Sequence, residues 1–98
     1  SMAGKEALQN LLLGKLSESL AGLDAVRRTE SLIASQLLPQ TEIIYQSAVT
    51  GYESGKIDFS MLLDAQRQIL KARKQLLHLQ FQAQSLLAEI EELLGEEL

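Results

Sequence analysis

Residues able to do chemistry are few in this 98-residue chain, and they do not converge. His78 is the single histidine, cysteine is absent, and no acidic residue stands three or four positions from His78. A metal site needs several ligands arriving together, so neither a bound metal nor a cofactor is expected. Glu89, Glu91, Glu92, Glu96 and Glu97 crowd one end of the chain. They read as a solvated helix end, set unfavourably against the negative pole of the helix dipole. No nucleophile stands beside a base, no loop is built to cradle phosphate, and no paired carboxylates suggest acid–base work. The expectation is a protein that is not an enzyme.

Charge narrows the partners. A net charge of −4 argues against nucleic acid and against anionic membrane surfaces. The cations Arg67, Lys71, Arg73 and Lys74 do cluster, in "RQILKARK", and read as a solvated helix face. Without cysteine there are no disulfides and no thiolate sites. No apolar run approaches the ~18–20 residues of a spanning helix, and no ~10-residue alternating segments suggest a membrane β-barrel. No signal peptide is read, and a soluble chain with no direct membrane contact is expected. Ser1 and Met2 read as a remnant of tag removal, leaving residues 3–98 as one unit.

The elements that must carry these residues are helices. Hydrophobic residues make up 46% of the chain and aromatics only 4%, with Leu, Ala, Gln, Glu and Lys dominant, which suits long helices or coiled coil. From Leu62 the apolar residues keep a seven-residue repeat. Leu62, Ile69, Leu76, Ala83 and Ile90 form one row; Ala65, Ala72, Leu79, Leu86 and Leu93 form the second. Leu63, Leu70 and Leu77 lie one position beyond the first row, and Leu87 and Leu94 widen the stripe on its other side. One partner helix covers only the narrow seam, so a bundle or ring of helices is expected. Upstream, Leu16, Leu23, Leu37 and Ile44 keep the same spacing, broken by Glu30 and flanked by Leu20, Val26, Ile33, Ala34 and Ala48. Pro39 lacks a backbone donor and its ring crowds the preceding turn, which predicts a kink or break near residues 36–39.

Between the two arms lies "GYESGKIDFSMLLDAQ", residues 51–66. Gly55 is placed to end the first helix in the left-handed conformation, and Asp58 to cap the second by accepting backbone N–H bonds. Ile57 and Leu62 are spaced as a hydrophobic staple, and Gly95 reads as the far stop. The fold class is therefore all-α. It is a long antiparallel two-helix coiled-coil hairpin, with helix one at about 5–53, kinked near Pro39, a tip at 54–58 and helix two at about 59–94.

These residues also carry a resemblance. "LLPQTEIIYQSAVTGYESGKIDFSMLLDAQRQILKARKQL", followed downstream by "AEIEELLG", resembles the second half of a TolC-type outer-membrane efflux protein, closest to its heavy-metal-efflux branch. The features that carry it are "LLPQ", Tyr52 thirteen residues after Pro39, the Tyr-x-x-Gly step to Gly55, "DF" followed by "LLDAQR", and the terminal Leu-Leu-Gly. Together they cover residues 37–95, and "SLAGLDAVRRTESLIAS" fits the family's long descending helix.

The resemblance implies a homotrimeric conduit in a Gram-negative bacterium, with a β-barrel in the outer membrane and an α-helical barrel in the periplasm. This chain would be one excised periplasmic hairpin. Gly51, Tyr52, Glu53, Ser54, Gly55 and Lys56 would form the tip that meets the periplasmic adaptor, or membrane fusion protein, of an inner-membrane pump. Tyr52 would take part in closing the aperture and Asp64 would line it. Met61 stands where relatives often carry a second acid, and Ile57 where some carry an arginine, so a doubled acidic ring and a tyrosine–arginine latch are not implied. A free-standing coiled-coil scaffold or assembly module is the alternative, and a hairpin from a periplasmic adaptor shares the shape. With neighbouring hairpins absent, the leucine-rich flank predicts a dimer forming a four-helix bundle.

Overall fold

A computed structural model describes residues 2–97, and every one of these outside the turn at 54–58 is helical. The chain runs through α1 (Met2–Leu32), a π-helical stretch (Ile33–Leu37) and α2 (Leu38–Glu53), then returns as α3 (Phe59–Glu97). The result is an antiparallel hairpin of 77 × 16 × 16 Å. Ser1 and Leu98 lie outside the described residues. The outgoing arm is longer than α3, so the first turns of α1 project beyond its partner, and Leu8, Leu11 and Leu13 are exposed there. Gly95 does not stop α3, which continues to Glu97. A single glycine costs a helix about 1 kcal/mol, too little to end one that already extends more than nine turns.

The interior is the seam between the two arms. Ala65, Ile69, Ala72, Ala83, Ile90 and Leu93 of α3 are buried, all from the two heptad rows. Leu23 meets Ala83 and Ile90 in one cluster, with Leu16, Val26, Leu86 and Leu87 packed around it. Small residues on the seam let the helices close: Leu86 lies 3.6 Å from where a Cβ on Gly22 would stand. Among the described residues no large side chain is completely buried. Two helices cannot enclose a core, because each leaves most of its circumference uncovered.

Pro39 acts differently from a simple break. Its ring would crowd the Ser35 carbonyl four residues back, and it has no N–H to donate. The backbone widens into π-helix immediately before it, with the Leu38 N–H donating to the Ile33 carbonyl five residues away. Ser35 Oγ donates to the Ser31 carbonyl at 2.7 Å, and Thr41 Oγ1 to the Leu38 carbonyl at 2.8 Å. Leu32 and Leu38 keep ordinary helical dihedrals, so the chain bulges without breaking.

The extra residue in that turn changes which face meets α3. Up to Ile33 the inward positions follow a strict 3-4 rhythm through Leu16, Ser19, Leu23, Val26, Glu30 and Ile33. After it they are Leu38, Thr41, Tyr45 and Ala48. One inserted residue turns the following helix by about 100°. Leu37 and Ile44, expected on the seam, are therefore rotated outward, to 39% and 57% exposure. Ala34 and Leu20 are exposed as well. Helical geometry also relocates Leu87 and Leu94. Each lies one residue past the second row, as Leu70 and Leu77 lie one past the first, so all four share one flank of α3.

Candidate functional site

The turn end of the hairpin is the most specifically built part of the molecule. Gly55 has φ +76°, the left-handed conformation that other residues adopt only with strain, and it is the only described residue with positive φ. Around it the chain forms a two-bond helix stop. The Lys56 N–H donates to the Gly51 carbonyl at 2.7 Å and the Gly55 N–H to the Tyr52 carbonyl at 3.1 Å. The Ile57 N–H also reaches the Gly51 carbonyl, at 3.2 Å, and Ser54 Oγ donates to the Thr50 carbonyl at 2.9 Å. The carbonyls of Thr50, Gly51 and Tyr52 in the last turn of α2 are thus satisfied within the turn.

Asp58 opens α3. Its Oδ1 accepts the Met61 N–H at 3.0 Å, the geometry of an N-terminal cap. Ile57 is half-buried and folds back over Gly51, where an added Cβ would lie 3.4 Å from its Cγ1. Tyr52 and Phe59 face each other across the turn as an edge-to-face pair, 5.9 Å between ring centres at 63°. Both rings remain largely exposed, so the tip presents an aromatic knob. Phe59 was legible in the sequence only as part of "DF"; its partnership with Tyr52 depends on the turn that brings positions seven apart together.

Asp64 sits on the sixth residue of α3, beyond the first turn where the helix dipole acts strongly. That benefit falls to Asp58 instead. Asp64 is exposed and pairs with Arg67 at 3.6 Å, an ion pair of little energetic weight at such exposure. It borders a shallow groove of about 480 Å³ with Ile44, Ala48, Ile57, Met61 and Ala65. Tyr52 has its ring partner in Phe59 and Asp64 its charge partner in Arg67, so within one hairpin each stands in a separate contact. Among the described residues no three His, Cys, Asp or Glu side chains gather closely enough to hold a metal ion. None of the described helices is long and apolar enough to cross a membrane.

A family model for outer membrane efflux proteins matches residues 3–96. The chain belongs to the outer membrane efflux protein family. No curated protein and no solved structure matches it. Outer membrane efflux proteins are channels rather than enzymes, and they work within tripartite efflux complexes. The hairpin is a helical part of such a channel.

Proposed function

We propose that this chain is a periplasmic α-hairpin of a heavy-metal-efflux channel in a Gram-negative outer membrane. It forms part of the wall of a trimeric α-barrel and docks by its tip, Gly51 to Lys56, onto the periplasmic adaptor of an inner-membrane pump. The ordered features from Pro39 to Gly95 support the branch. Family membership supports the efflux setting.

The observation that carries the conduit reading is the division of α3 into three faces. One seam meets α1 and α2. A second leucine-bearing stripe lies about 100° away, one residue further along each row. Opposite the midline of these two lies a wholly polar row: Asp64, Lys71, His78, Ser85 and Glu92, all exposed. A helix in the wall of a ring needs a neighbour on each side, and the two apolar flanks supply both. With neighbours only about 100° apart the centre of the ring lies on the midline side, so the polar row faces outward to solvent. Asp64 is the member of that row nearest the tip. The aperture role of Asp64 rests on the resemblance and not on this row: brought to a narrow opening on a three-fold axis, the repeated carboxylate would attract cations and repel anions.

Conductance tests this. Asp64→Asn in the channel that carries the hairpin should lower cation-over-anion preference several-fold in planar bilayers, with the channel still assembled. Unchanged selectivity would remove Asp64 from the aperture.

A further inference from the structure

The second stripe on α3 is self-complementary, and we propose that it pairs with the same stripe of a second copy of this chain, α3 against α3 antiparallel about a two-fold axis at Gln82. The proposal concerns the 98-residue hairpin by itself: in a ring the same flank would meet a neighbouring helix instead, and the two pairings exclude each other.

The stripe runs from Leu70 to Leu94 in a continuous 3-4 rhythm, about 36 Å of helix. In an antiparallel pair, positions equidistant from the axis face each other. Leu77 then meets Leu87 of the other copy, and Leu70 meets Leu94. Between them Gln80 faces Gln84, amide to amide, and Arg73 faces Glu91. Like meets like where the chemistry is apolar or neutral, and opposite signs meet where it is charged. Leu77 is 68% exposed, Leu70 53% and Leu94 45%, while Leu87 leaves only part of its side chain on the flank. Arg73 reaches Glu42 within the hairpin only at 3.9 Å, with both groups at least half exposed, and remains open to a second carboxylate.

Charge fixes the direction as well. In the same register residues 67–74, with Arg67, Lys71, Arg73 and Lys74, lie along residues 90–97 of the second copy, with Glu91, Glu92, Glu96 and Glu97. This happens twice, once at each end of the pair. A parallel pairing would instead stack cations on cations and glutamates on glutamates. The glutamates that oppose their own helix dipole thereby gain cationic neighbours. The 100° between the two seams is near the right angle of a square, so the pair of hairpins closes as a four-helix bundle.

The 98-residue chain tests it directly. Sedimentation at about 100 μM should show twice the chain mass. Arg73→Glu and Glu91→Arg should each raise the dimer dissociation constant about tenfold or more, and the double variant should return it close to the starting value. Helicity followed by circular dichroism separates this from damage to the Arg73–Glu42 contact. Because the chain has no cysteine, a mixture of Gln80→Cys and Gln84→Cys chains can be oxidised cleanly. A mixed 80–84 disulfide should exceed either like-with-like product. A monomer, a double variant as weak as the singles, or a preference for 80–80 and 84–84 bridges would overturn the proposal.

Discussion

Ala72→Glu should cost the hairpin about 3–5 kcal/mol, the penalty of placing an unpaired charge in a dry seam. Among the described residues Ala72 is the most deeply buried apolar one, at 2% exposure, and lies beside Thr41 where α2 and α3 approach. Domains are stable by only about 5–15 kcal/mol in total, so the variant should be substantially unfolded in mild urea. Ala88→Glu, on an exposed face of the same helix, should shift stability by no more than about 0.5 kcal/mol. Urea titrations followed by helical circular dichroism compare the two. Equal midpoints would mean that the seam is not where the two rows place it.

Gly55→Val should be the costliest change at the turn. With φ at +76°, a β-branched side chain meets the left-handed penalty of about 1–2 kcal/mol. Nothing lies within 4 Å of an added Cβ, so the loss is purely one of backbone conformation. Gly55→Asn should recover most of it, since asparagine tolerates this region. Thermal unfolding of the three proteins decides the matter. A valine variant as stable as wild type would show that the turn can be rebuilt without left-handed backbone.

How much of this was readable from the residues depends on whether the signal was local. Along α3 the heptad rows named every buried position, because an uninterrupted α-helix carries a seven-residue repeat unchanged from Leu62 to Leu93. The turn was legible for the same reason: Gly55 and Asp58 act through backbone groups only a few residues away. The outgoing arm was not. Pro39 announced a disturbance, yet its form, one inserted residue and a wider turn, moved the seam from Leu37 and Ile44 to Leu38 and Tyr45. Both alternatives offer apolar residues, so hydrophobicity could not choose between them. The proline ring did.

The tip site was only partly legible. Tyr52 stood out through its spacing from Pro39 and Gly55, whereas Phe59 gains meaning only once the turn sets its ring against Tyr52. Gly51 reads as one more small residue until Ile57 is seen folding over it. Asp64 could be numbered from the sequence but not placed, since its distance from both seams follows from the helix geometry of α3 as a whole.

In the proposed function the tip is the end that docks. The most direct measurement is a calorimetric titration of the 98-residue chain with a periplasmic adaptor protein from the same bacterium, comparing wild type with Tyr52→Ala and with Lys56→Glu. Both positions are exposed at the turn, so both variants should stay folded. Wild type should bind saturably, and Tyr52→Ala should weaken the binding at least tenfold because the aromatic knob is lost. Binding that is indifferent to both tip substitutions, yet falls when Leu77 on the α3 flank is changed to Glu, would contradict docking by the tip.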